Sequence, residues 1–134
     1  MPARNAMQTH LASLYHVASN LIRLGFKVVE INKTGKVNIV IEKNKSKKIT
    51  INVKGLVGIS DWPFQPDHVS AAEFFIFVSY DSEGFEDLSK NPEFFIVPSN
   101  KIESLIHKWP TWQGVRYSEI VNYDYKNAWN LLEQ

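Results

Sequence analysis

The chain has 134 residues, of which 44% are hydrophobic and 22% charged, and it contains no cysteine. That length suits one domain, residues 1–134, which buries roughly 65–70% of its unfolded surface without a covalent or metal staple. Disulfides, thiolate zinc sites and cysteine nucleophiles are excluded, and no apolar run approaches the roughly 18 residues of a membrane span.

The net charge of +1 hides an asymmetry. Residues 1–58 carry ten Lys and Arg against only Glu30 and Glu42, whereas residues 59–134 carry five against twelve acids. Such a split permits a basic face for nucleic acid or for an acidic partner.

In chain order, Leu11, Leu14, Tyr15, Ala18, Leu21 and Ile22 recur at three- and four-residue steps, predicting a core-facing helix that Gly25 ends. The period then changes to 2. Residues 26–31 and 36–42 read as strands around a turn at Asn32-Lys33-Thr34-Gly35. After the polar hairpin loop 44–47, Ile49, Ile51 and Val53 face one way while Lys48, Thr50, Asn52 and Lys54 face the other. Three strands with short turns predict an antiparallel meander. Gly55, Gly58, Pro63 and Pro66 predict a long loop over 55–72 that carries Asp61, Trp62 and His68. Residues 74–80 and 94–97 are near-continuous apolar runs, expected as central strands covered on both faces. An acidic loop, 81–87, separates them. Ser99 is a good N-cap for a helix with Ile102, Leu105 and Ile106 as its buried stripe. Residues 125–134 predict a short final helix with Ala128, Trp129, Leu131 and Leu132 inward. The expected architecture is one α/β domain with flanking C-terminal helices.

Most motifs that carry chemistry are missing. His10, His16, His68 and His107 form no pair at metal-ligand spacing, and there is no HExxH, GxGxxG, P-loop or GxSxG. The phenylalanine runs read as core rather than as a stacking platform. The four tryptophans fall in loops and helix ends and read as packing lids, with Trp62 the candidate for exposure. One constellation remains. An antiparallel hairpin places Asn38 on one strand near Asn52 and Lys54 on the next. Metal-dependent nucleases put an acid on one such strand and acid-x-lysine on the next, so that carboxylates hold Mg²⁺ and the lysine orients water or neutralises charge.

The chain accordingly resembles the restriction-endonuclease-like PD-(D/E)XK superfamily, especially its small prokaryotic domains. The similar stretches are residues 15–26, Val37-Asn38-Ile39-Val40, Ile51-Asn52-Val53-Lys54, residues 75–78 and residues 95–99, in the family's order over residues 10–107. The resemblance implies a restriction-endonuclease-like fold and a nuclease centre built on these positions. The departures are specific. The family's Val-Asp-Ile stands here as Val37-Asn38-Ile39, its Glu or Gln before Val-Lys is Asn52, and the acid common on its first helix falls at about Leu14. Lys54 alone keeps its expected identity, so the centre of Lys54, Asn52 and Asn38 is degenerate. A neutral amide cannot offset the charge of Mg²⁺.

The expected function is therefore nucleic-acid binding by an inactive nuclease fold in the cytoplasm. The partner is DNA or RNA, and Lys43, Lys45, Lys47 and Lys48 lie along its phosphates. No membrane partner and no cofactor are expected, and Mg²⁺ or Mn²⁺ enters only if catalysis persists. A lysine-rich hairpin also serves simply to keep a sheet edge soluble. One alternative is a protein-interaction module using Glu83, Glu86, Asp87 and the aromatics Trp62, Phe64, Trp109 and Trp112. Another is an active nuclease whose acid has migrated to Glu30, Glu42 or Asp61.

Overall fold

The Asn5 side chain accepts a hydrogen bond from the Gln8 backbone, and Gln8 reaches back to the Asn5 N–H, so a capping box starts the first helix. A computed structural model describes residues 5–133; residues 1–4 and Gln134, part of the stretches expected as first and final helices, lie outside the described residues. Helix α1 spans Ala6–Arg23. It ends in a Schellman turn: Gly25, at φ +95°, and Phe26 donate to the carbonyls of Ile22 and Leu21.

Strands β1 (Lys27–Ile31), β2 (Ile39–Asn44) and β3 (Lys47–Val57) form the expected antiparallel meander. The second strand begins at Ile39 rather than residue 36, because Asn38 spends its side chain on the turn. Strands β5 (Phe74–Tyr80) and β6 (Glu93–Pro98) extend the same sheet in the order β1-β2-β3-β5-β6. β5 runs parallel to β3, and a parallel pair needs a long crossover. Residues 58–73 supply it and carry β4 (Asp61–Pro63) and a 3₁₀ turn at Pro66–His68. The expected loop over 55–72 is thus partly regular: β3 continues to Val57, and β4 joins a second sheet.

That sheet, in the order β4-β8-β7, is completed by β7 (Ile106–Lys108) and β8 (Gln113–Arg116). It replaces the helix expected after Ser99. Pro98 occupies the N-cap position, α2 covers only Ser99–Ile102, a 3₁₀ turn holds Glu103–Leu105, and Ile106 pairs with Val115. After the single turn of α3 (Tyr117–Ile120), the last described element is a 3₁₀ turn over Trp129–Glu133 rather than an α-helix. Ala128 and Leu132 are buried there, as expected.

Period-2 alternation divides the main sheet between two cores. Ile49, Ile51, Val53, Ile76, Val78 and Ile96 pack against Leu14, Val17 and Leu21 of α1. Phe75, Phe77, Phe95 and Val97 pack on the opposite face against Trp62, Phe64 and Val115. Trp62, the candidate for exposure, is fully buried, and its indole N–H donates to the Val78 carbonyl at 3.1 Å. Where α1 crosses β3, a Cβ on residue 55 would overlap the Ser13 hydroxyl, so Gly55 sets how closely the two elements approach. Among the described residues no helix is long and apolar enough to cross a membrane.

Candidate functional site

Register Ile39↔Ile51 puts Asn38 opposite Asn52, and Lys54 follows two positions along on the same face. The crossover then lays Trp62, Pro63 and His68 over that face. The result is a hollow of about 240 Å³ lined by Asn38, Asn52, Lys54 and His68, with His10 of α1 and Gly35 at its rim.

The two amides are nearly closed to solvent, at 2% and 1% exposure. Asn38 is committed to the scaffold. Its Oδ1 accepts from the Val53 N–H at 2.9 Å, and its Nδ2 donates to the carbonyls of Asn32 and Gly35 at 3.2 and 3.5 Å. It therefore ties the β1–β2 turn to β3. The Asn52 Nδ2 donates to the Lys36 carbonyl at 2.7 Å, but its Oδ1, although buried, has no partner among the described residues. A buried acceptor left unpaired is costly, on the order of 1–3 kcal/mol.

Lys54 places its ammonium 3.0 Å from His68 Nδ1 and 5.0 Å from the Phe64 ring centre. The ammonium donates, so the imidazole carries its proton on Nε2. Burial pulls the Lys54 pKa down to about 8, against the upward pull of the Asp67 carboxylate. His68 is also held below its usual value, by burial first and then by Lys54. Asp67 pairs with the Lys36 ammonium at 2.9 Å, which lowers its pKa. Asn52, Lys36, Asp67, His68 and Lys54 thus form a continuous chain of contacts clasping the β1–β2 turn to the crossover.

Nothing in the sequence singles out Asp67, and His68 stands there only as a loop residue and as one of four histidines without metal-ligand spacing. The pointer was Pro66 ahead of Asp67, a turn signal in the segment that must cross the sheet face bearing Lys54. The proposed replacement acids are dispersed. Glu42 pairs with Lys27 at 3.5 Å, Asp61 lies 3.9 Å from Arg116, Glu30 is exposed on β1, and none of them lines the hollow. Leu14, where the family's helix acid would fall, is buried in the α1 core. Lys43, Lys45, Lys47 and Lys48 gather at the far end of the β2–β3 hairpin. Lys48 is four residues from Asn52, about 13 Å along the strand.

A magnesium-like ion does not fit these side chains. Its oxygen cage needs anionic carboxylates. The hollow offers one uncommitted neutral carbonyl, Asn52 Oδ1, beside a lysine ammonium. Among the described residues no three of His, Cys, Asp and Glu stand together as a metal site. The arrangement can instead receive a ligand that offers a hydrogen-bond donor to Asn52 and an anion or acceptor to Lys54.

The layers and strand order define a mixed α/β domain, compatible with a nuclease-like fold through its likeness to one solved structure. The likeness is to a solved bacterial homing endonuclease, I-Ssp6803I, with a TM-score of 0.61 over 98% of this chain and 94% of that one. Identity is 14%, so the similarity is one of fold. No protein-family description matches the chain, and no curated protein matches it in sequence.

Proposed function

We propose that this chain is a nuclease-fold domain of the PD-(D/E)XK kind that binds nucleic acid without cutting it. The observation that carries the reading is the identity of the two amides and the commitment of Asn38 to the scaffold. Asn38 and Asn52 occupy the positions where a metal centre of this kind needs carboxylates, and Asn38 has every side-chain atom engaged by backbone. Phosphodiester cleavage by a metal ion requires an anionic clamp, and this centre supplies a cation instead. Exposed Lys45, Lys47 and Lys48 give the same sheet a basic end, and Lys48 shares a face with Lys54 roughly 20 Å further along. A phosphate backbone laid along that face meets positive charge at both ends.

The test incubates the protein with labelled single- and double-stranded DNA and RNA, in Mn²⁺ and in EDTA. Each mixture is split between a native gel and a deproteinised denaturing gel. The expected result is a shift without cleavage, with affinity falling steeply as salt rises. Changing Lys45, Lys47 and Lys48 to Glu lowers the salt slope by about three. Metal-dependent cleavage that Lys54→Ala abolishes would overturn the proposal.

A further inference from the structure

A second hollow, of about 470 Å³, shares Pro63 with the first and lies between the crossover and the tip of the β7–β8 hairpin. The hairpin closes tightly: the Trp109 N–H donates to the Trp112 carbonyl at 2.9 Å across Pro110 and Thr111. This puts both indoles on one face of the ribbon, stacked at 4.2 Å between centres and 16° between planes. Both stand outside the two cores, and Trp112 is 41% exposed. Gly114 is what allows the arrangement. A Cβ there would come within 2.5 Å of the Trp112 ring and 2.6 Å of the Trp62 carbonyl, so the strand leaves out a side chain where the indole lies. Lys108 lines this hollow, and the Lys54 ammonium lies beyond Phe64, which lines it too.

Trp109 is half-buried, with His107 at 4.2 Å as well as Trp112, so it backs the exposed Trp112 ring. That prearranged ring, with Lys108 in the same hollow, suits the face of an unpaired nucleobase, with a neighbouring phosphate taken by the lysine. In a duplex both faces of every base are already stacked and the indoles cannot reach them. The adjoining hollow points the same way. Asn52 Oδ1 is a buried acceptor without a partner, and phosphate oxygens are acceptors too, so phosphate cannot satisfy it. The donors of a nucleic acid are on base edges and, in RNA, on the 2′-hydroxyl.

We propose that the Trp109–Trp112 platform binds an unstacked base, making single-stranded nucleic acid the preferred ligand. The inference deepens the nucleic-acid-binding reading above and rests on it. The test uses the full chain with labelled oligothymidylate, oligouridylate and a duplex of equal length. Affinity is read by fluorescence anisotropy and stacking by quenching of the protein's own tryptophan emission. Single strands are expected to bind at least tenfold more tightly than the duplex and to quench the emission. Trp112→Ala removes the preference by weakening single-strand binding roughly 5- to 150-fold, the range of one base–aromatic stack, and Trp112→Phe restores part of it. Circular dichroism of both variants checks that the fold is intact. Equal affinity for single strand and duplex overturns the inference while leaving nucleic-acid binding in place. No binding to any of the three overturns both. Quenching by a proline-rich peptide where oligonucleotides give none assigns the platform to a protein and overturns the inference, while the anisotropy decides whether nucleic-acid binding stands.

Discussion

Replacing Lys54 with Met tests whether the ammonium is held in the hollow against its own preference. The groups facing it are His68, Asp67 and, through Asp67, Lys36, and burial outweighs the carboxylate in setting its pKa at about 8. In the unfolded chain the lysine keeps its proton to 10.5, whereas in the folded protein it loses it near 8. Between those values the unfolded state binds more protons, so stability rises with pH through that window. Below about 8 the penalty is present in full. The gap of about 2.5 pH units, at 1.36 kcal/mol each, corresponds to about 3 kcal/mol. Met keeps the length of the stem and removes the charge, with it the hydrogen bond to His68 and the contact with Phe64, together about 2 kcal/mol. Lys54→Met is therefore expected to be about 1 kcal/mol more stable than the natural chain at about pH 7. By about pH 9.5 that difference shifts by about 2 kcal/mol in favour of the natural chain, which has by then shed most of its penalty. The tyrosines raised to about 12, Tyr80 and Tyr117, are common to both proteins and cancel in the comparison. Urea unfolding at the two pH values gives the four stabilities needed. A stability difference independent of pH would show that the ammonium is solvated and would refute the reasoning.

Nothing in the packing requires a charge at position 54. The second core closes around Trp62, Phe64 and Phe77 without it, and an apolar side chain would suit the Phe64 ring as well. Under the proposed reading, a ligand accounts for an ammonium held there against desolvation in the same hollow as an unpaired acceptor. The same holds for Trp112, which leaves apolar surface in water where a core residue would have buried it.

The elements legible in the sequence were those long enough to show a period. α1 shows its 3.6-residue stripe over five turns, although Tyr15 and Ile22, expected on the inner face, are exposed and Ser13 and Val17 are buried instead. β3 alternates without a break from Lys48 to Lys54, which puts Asn52 and Lys54 on one face opposite Asn38. The second sheet left no such trace. β4, β7 and β8 are three or four residues long, too short for alternation to register, and they are held by packing around Trp62. At Ile102, Leu105 and Ile106 the spacing matched a helix, but Ile106 pairs with Val115 and ends it, because tertiary contacts override a weak local preference. The charge asymmetry also dissolved in part. Lys36 with Asp67 joins the basic half of the chain to the acidic half, and Lys126 with Glu93 balances charge within the acidic one. Asp67 and His68 were hidden for a related reason: their place beside Lys54 depends on the path of the crossover, which no short-range pattern encodes.

Two further substitutions probe how the hollow is built. Gly55→Ala drives a methyl group into Ser13 and to 3.1 Å from the Thr9 carbonyl. It is expected to lower stability by about 1–3 kcal/mol in urea unfolding, with part recovered in the Gly55→Ala, Ser13→Ala double variant; full stability in the single variant would mean that α1 rides freely over β3. Asn38→Asp asks whether the family's acid could simply be put back. A carboxylate retains one bond, accepting from the Val53 N–H, but its second oxygen meets the Asn32 and Gly35 carbonyls to which the amide donated. Acceptor then faces acceptor in a nearly closed site, and the variant is expected to lose about 2–4 kcal/mol at about pH 7. Protonation relieves the conflict, so the new carboxyl's folded pKa lies above its unfolded value of about 3.9. The folded state then binds more protons between those two values, and the loss shrinks as the pH falls towards 4. Thermal melts across that range measure the trend, and a plasmid-nicking assay in Mn²⁺ accompanies them. An Asn38→Asp protein that is fully stable and cuts DNA would mean that the turn yields to a carboxylate and that one substitution separates this centre from an active one. Instability relieved by acid, without nicking, would mean that the turn around Asn38 has been rebuilt to hold an amide, so that restoring the acid alone cannot restore a metal centre.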